Sequence, residues 1–146
     1  MPDFKRAIVF FSVFILTGLA SQALLAEVRL PRVISDGAVL QRDEAVPIWG
    51  WADDGEEIYV VLNGRQVAST TAENGEWQVT LPEQQAGGPH RLEVRGDNRV
   101  CVNDLYFGDV WLAAGQSNMQ TSMARVQYTY PEEVATADEP LIRLYT

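Results

Sequence analysis

From Val28 to about Leu105 apolar and polar positions alternate in short runs, each closed by turn residues, and no helical period interrupts them. Such spacing predicts antiparallel strands of a sandwich. The runs are Ala38 to Gln41, Val46 to Trp51, Glu57 to Leu62, Gln66 to Thr71, Trp77 to Leu81, His90 to Arg95 and Val100 to Asp104. Their punctuation is Ser35-Asp36-Gly37, Asp53-Asp54-Gly55, Asn63-Gly64, Asn74-Gly75, Ala86-Gly87-Gly88-Pro89 and Gly96-Asp97-Asn98. An Asn-Gly pair tolerates positive φ at both centres of a type I′ turn, so Asn63-Gly64 and Asn74-Gly75 are expected to close tight hairpins.

Period-2 alternation also assigns faces. In Trp77-Gln78-Val79-Thr80-Leu81 the odd positions belong in the core and Gln78 and Thr80 in water. In Val46-Pro47-Ile48-Trp49-Gly50-Trp51 the rule separates Val46 and Ile48 from Trp49 and Trp51 without saying which pair is inside. Tryptophans of a small sandwich are usually packing residues, so Trp49, Trp51 and Trp77 are assigned no sugar ligand.

The texture changes at Leu105. Asp109 to Ala114 is a nearly continuous apolar run, as in a strand buried on both faces of a parallel sheet. Met119, Met123 and Val126 have helix-compatible spacing, Pro131 to Ala137 reads as a short helix with proline first, and Leu141 to Tyr145 reads as another strand. The chain is therefore expected to be mainly β, entering a β-α-β unit and ending inside it. Two strands and a helix cannot bury both faces of a sheet, so a partial protein is expected.

The first residues resemble an export signal. Lys5 and Arg6 precede the apolar stretch Ala7 to Leu19, and Ser21-Gln22-Ala23 offers a small-x-small cleavage site, with cleavage after Ala26 as the alternative. The apolar stretch is short for a membrane span, which needs about 20 residues, so export is expected rather than anchoring. The expected divisions are a leader at 1–23, a sandwich at 27–105 and the beginning of a second domain at 106–146.

The net charge of −9, with basic residues scattered singly, argues against a nucleic-acid partner, and the acidic product is unsuited to anionic lipid. Cys101 is the one cysteine, so no internal disulfide or thiolate zinc site is possible within the chain. In Val100-Cys101-Val102 it reads as a small apolar residue on a buried strand face. No metal, nucleotide or flavin motif is evident, no cofactor is expected, and oligomeric state leaves no trace.

Chemistry concentrates in Gly115-Gln116-Ser117-Asn118-Met119, directly after the apolar run. A serine needs a base for its proton and donors for the oxyanion it creates, and a sharp strand-to-helix turn exposes its hydroxyl. With Met119 two positions after the serine, this is not the G-x-S-x-G elbow. No histidine follows Ser117; His90 is the single histidine and reads as a surface or strand-end residue of the sandwich. Asp104 and Asp109 have no histidine to orient and read as solvated or turn-capping carboxylates.

The Gly115 to Met119 block resembles the first block of the SGNH (GDSL-like) hydrolases, in the form found in sialate O-acetylesterases and related carbohydrate acetylesterases. So do Val28 to Pro31, Ser35 to Arg42, Val46 to Ala52, Gly87-Gly88-Pro89, Asn103-Asp104, Gly108 to Leu112 and Ile142-Arg143-Leu144. The resemblance implies a β-sandwich leading into a flavodoxin-like α/β hydrolase domain, truncated here, that removes O-acetyl groups from sialic acids or other sugars. It implies Ser117 as nucleophile with its backbone N–H as one oxyanion donor, and Gly115, Gln116, Asn118 and Met119 as supporting residues. The family's further Gly and Asn donors and its Asp and His have no counterparts here, so the isolated chain is expected to be inactive. Ala114, where serine is common, and Gln120-Thr121-Ser122, where a Glu-containing stretch is typical, bear on substrate preference. An acetylxylan-type esterase and a non-catalytic carbohydrate-binding sandwich are the competing readings.

Overall fold

The computed structural model describes residues 27–145; the expected leader and both expected cleavage sites lie outside them. The described chain is mainly β. Its strands are β1 (Val39–Gln41), β2 (Val46–Trp51), β3 (Glu57–Leu62), β4 (Arg65–Thr71), β5 (Glu76–Leu81), β6 (Gly87–Arg95) and β7 (Arg99–Gly108). A five-stranded sheet has the order β1-β7-β6-β3-β4, and β2 pairs with β5 in a second sheet. All pairings are antiparallel except that β1 lies parallel to β7, with Val39 opposite Tyr106 and Gln41 opposite Gly108.

One core joins the two sheets. Ile48, Trp77, Val79 and Leu81 from the β2–β5 pair meet Ile58, Val60, Leu62, Leu92, Val94, Val102, Leu105 and Phe107 from the larger sheet. The alternation of β5 is observed as expected, with Trp77, Val79 and Leu81 buried and Gln78 and Thr80 exposed. In β2 it is Ile48 and Gly50 that are buried, and Trp49 is 39% exposed. Trp77 is therefore a core residue, whereas Trp49 and Trp51 lie on the outer face, contrary to the packing role expected for all three.

Both Asn-Gly pairs have left-handed φ at both residues, 51° and 82° for Asn63-Gly64 and 56° and 78° for Asn74-Gly75. The first closes β3 onto β4, with Leu62 opposite Arg65. The second closes a bridge between Glu73 and Glu76 and passes the chain from one sheet to the other, since β4 and β5 are not paired. Gly87-Gly88-Pro89, expected as a turn, is instead the start of β6, where φ values of 155° and 157° are open to glycine and Gly87 pairs with Phe107. The last strand runs on through Leu105 to Gly108 because Phe107 still has the core to fill.

The expected strand over 109–114 does not form. Residues 109–116 have no regular structure, and Trp111 and Leu112 are 87% and 93% exposed. A strand forms where a neighbour takes its N–H and C=O groups, and no strand among the described residues pairs with this run. The same holds for 141–145. Helical structure is limited to a 3-10 turn at Ser117–Gln120 and short α-helices at Met123–Val126 and Pro131–Ala135, the last with proline in its first turn as expected. Thr121, in extended conformation at φ −78° and ψ 109°, ends the 3-10 turn. No helix among the described residues is long and apolar enough to cross a membrane.

Candidate active site

Ser117 opens the 3-10 turn. Gln116 before it has φ −106° and ψ −140°, which bends the chain out of the preceding extended stretch. The Met119 N–H donates to the Gln116 carbonyl at 2.9 Å and the Thr121 N–H to the Asn118 carbonyl at 3.2 Å, closing the turn around Ser117 and Asn118. At its head the Ser117 N–H has no partner within the turn, as at any helical start. Met119 folds back over Gly115: a Cβ there would lie 2.5 Å from the Met119 Cγ, so glycine leaves the room this packing takes. The whole Gly115 to Met119 block is exposed.

The other titratable candidates lie elsewhere in the fold. His90, half-buried within β6, pairs through Nδ1 with the Asn63 amide at 2.8 Å, and its ring stands edge-on to Phe107 with centroids 5.3 Å apart. Asp109 accepts from the Arg42 Nε at 2.9 Å, and Asp104 forms an ion pair with Arg143 at 3.0 Å. Both carboxylates are solvent-exposed, as expected, and each is also partnered by an arginine. Cys101 is half-buried opposite the core-facing Val102, not on a buried face, and its Sγ accepts from the Arg91 Nη2 at 3.2 Å. Among the described residues no group of three or more His, Cys, Asp or Glu is placed to hold a metal ion.

Two shallow clefts, of about 400 and 500 Å³, lie on the β-rich part of the chain, and neither is lined by Ser117. The first is bordered by Trp49, Glu76 and Gln78 on the outer face of the β2–β5 pair. There Trp49 and Trp51 pack edge to face at 5.6 Å, and the Arg29 guanidinium lies 5.8 Å from the Trp51 ring centre. Sequence periodicity separated these faces but did not orient them. The missing signal was Gly50, which shares a face with Ile48 and must be inside because the Arg29 backbone crosses it.

With this arrangement in view, the chain is similar to a class of carbohydrate-active esterase. It matches the crystal structure of a carbohydrate acetylesterase from Xanthomonas citri with a TM-score of 0.64 and 45% identity, over 67% of this chain and 23% of that one. More particularly, it is similar to proteins named sialate O-acetylesterase. Identity is 32% to the one from Pongo abelii and 31% to that from Homo sapiens, each over 80% of this chain and 24% of the relative, and 28% to that from Mus musculus over 94% and 28%. The resemblance to the sialate O-acetylesterase family is thus shown over most of the chain, which spans about a quarter of the length of the curated relatives it matches. No protein-family model matches it.

Proposed function

We propose that the chain is part of an exported carbohydrate O-acetylesterase, of SGNH type, in which Ser117 is the nucleophile. The observation that carries this reading is the 45% identity to a carbohydrate acetylesterase over two thirds of the chain. An exposed serine at the head of a tight turn, on a segment following the sheet, is consistent with it. The Ser117 Oγ attacks the acetyl carbonyl carbon, and the backbone N–H of Ser117 is one donor to the oxyanion that forms. The C–O bond to the sugar then breaks, the sugar oxygen leaves as a hydroxyl with the proton taken from Ser117, and water releases acetate from the acyl-serine. His90, engaged by Asn63 within β6, is not the base of this cycle. Base, acid and remaining oxyanion donors come from residues outside this chain, which covers only about a quarter of its curated relatives.

In this reading the β-strands form a sandwich, and residues 106–146 begin the hydrolase domain. The exposure of Trp111, Leu112, Leu141 and Leu144 supports it, because such side chains are the ones a sheet with helices on both faces would cover. The substrate class is O-acetylated sialic acid or a related sugar. The complete gene product should release acetate from an acetylated chromogenic ester and from O-acetylated sialic acid, with Ser117→Ala abolishing turnover and the 146-residue chain inactive. Full turnover by Ser117→Ala sinks the reading, and preference for acetylxylan moves the substrate to plant polysaccharide. Export is checked by N-terminal sequencing of the mature protein, which should begin at Leu24 or Glu27.

A further inference from the structure

The candidate nucleophile sits on a segment that contains no buried residue, yet that segment returns to the β-sheet at one defined place. Arg143 Nη1 donates to the carbonyl of Gly37 at 2.8 Å and to that of Asp104 at 2.7 Å. Its Nη2 pairs with the Asp104 carboxylate at 3.0 Å, and the guanidinium lies 4.4 Å from the centre of the Tyr106 ring. The arginine side chain is only 23% exposed in this setting. Both accepting carbonyls belong to residues in the left-handed region, Gly37 at φ 80° and Asp104 at φ 55°. Neighbouring bonds hold them there: the Asn103 N–H donates to the Asp36 carboxylate at 2.6 Å, Gly37 N–H to the Asn103 carbonyl at 3.1 Å, and Tyr106 N–H to the Ala38 carbonyl at 3.0 Å. The receptor for the guanidinium is therefore built by the sheet edge itself.

The segment leaves that same edge at its other end. The Val110 N–H donates to Gln41 Oε1 at 3.0 Å, and Arg42 holds Asp109. Asp104 and Asp109 are five residues apart on or beside β7, about 16 Å at roughly 3.3 Å per residue. The intervening 109–143 excursion, with Ser117 on it, begins and ends within that span.

We infer that Arg143 is a positioning residue: through Gly37, Asp104 and Tyr106 it clips the far end of the Ser117-bearing segment to the start of the β1–β7 pair and makes the segment a closed excursion. The clip rests on the geometry of this chain, and its consequence for catalysis rests on the proposed role of Ser117. Closing a chain at both ends removes much of its conformational freedom, and a charge-assisted contact of this kind is strong enough to matter.

The test is amide exchange by mass spectrometry on the 146-residue chain, comparing Arg143→Ala, Arg143→Lys and Asp104→Asn with the parent. Arg143→Ala should raise exchange by about tenfold or more at the hydrogen-bonded amides of the segment, such as Arg125, Thr129, Val134 and Ile142. Arg143→Lys should restore part of the protection, since it keeps the charge but not the planar group over Tyr106. Asp104→Asn, which tolerates the left-handed backbone, should give a smaller rise. Parent-like exchange in Arg143→Ala overturns the clip, as does an equal rise in β3 and β6, which would mean general loosening. In the complete gene product Arg143→Ala should lower kcat more than it changes KM, with Arg143→Lys between; an unchanged kcat overturns the positioning role. A failed Ser117 assignment would appear as an active Ser117→Ala enzyme and would leave the exchange result intact.

Discussion

Glu56 holds the backbone of Asp97, 41 residues away: its Oε1 accepts the Asp97 N–H at 2.6 Å while Oε2 accepts that of Asp53 at 3.1 Å. The residue is 8% exposed, and it ties the turn before β3 to the turn between β6 and β7. Asn98 beside it extends the tie, accepting from the Val28 N–H at 2.8 Å and donating to the Val28 carbonyl at 3.2 Å. Glu56→Ala removes both acceptors from partly buried donors and should cost about 2–3 kcal/mol in chemical denaturation. Glu56→Gln, which keeps one acceptor and turns a donor toward the other N–H, should fall between. Glu44→Gln on the surface should change stability by less than about 0.5 kcal/mol.

The two Asn-Gly turns separate a backbone effect from a side-chain effect. Asn74 contributes its tolerance of φ 56°, so Asn74→Ala should cost about 1–2 kcal/mol and Asn74→Gly should be nearly neutral. Asn63 has the same backbone requirement, but its Oδ1 also accepts the Arg91 N–H at 3.0 Å and its amide pairs with His90. Asn63→Gly should therefore remain destabilising by about 1 kcal/mol while Asn74→Gly does not. Equal thermal unfolding of the two glycine variants would remove the distinction.

Glu93 makes part of the stability pH-dependent. The hydrogen bond from Arg95, opposed by partial desolvation, and the charges of Arg95, Arg99 and Arg91 hold its carboxyl below the usual range. Its Oε1 accepts a hydrogen bond from Arg95 at 2.6 Å and forms an ion pair with Arg99 at 2.8 Å. A carboxyl that is more acidic in the folded than in the unfolded chain adds stability above the unfolded value of about 4.3, and that stability is lost as pH falls through the lower folded value. The difference in melting temperature between the parent and Glu93→Gln should thus be constant above about pH 5 and shrink below about pH 4. A gap that widens with acid would contradict this assignment.

What could be read from the sequence follows where a local rule was sufficient. Asn63-Gly64 and Asn74-Gly75 tolerate the positive φ of a tight turn at both positions, and Trp77 to Leu81 alternates cleanly, so turns and face were both legible. Asp109 to Ala114 forms no strand here because an apolar run becomes a buried strand only where neighbours exist to pair with it, and none of the described strands does. Trp49 and Trp51 could not be oriented, since large apolar side chains satisfy either face and only contact with Arg29 and Gly50 decides. The role proposed for Ser117 rests on its block of five residues, and the fold adds that the serine is exposed at the head of a turn. Arg143, 106 residues from Gly37, could not be seen as the clip, because much of its receptor is the backbone carbonyls of Gly37 and Asp104, which no side-chain pattern announces.

Gly50 and Gly64 fail for opposite reasons when a methyl is added. Gly50 lies in β2 beneath the Arg29–Trp51 bridge, whose hydrogen bonds of 2.9 and 3.0 Å bring the Arg29 carbonyl against its Cα. A Cβ at Gly50 would overlap that carbonyl oxygen and come within 3.0 Å of Trp77 Cζ2, so backbone and core would both have to move. Gly64 has open space around it but φ 82°, so only the backbone conformation resists. Gly50→Ala should cost about 3 kcal/mol or more and slacken the Arg29–Trp51 bridge, visible as faster exchange of the Arg29 and Trp51 amides. Gly64→Ala should cost about 1–2 kcal/mol and leave those amides unchanged. If Gly50→Ala were as mild as Gly64→Ala, the Arg29 backbone would not cross β2 as closely as described.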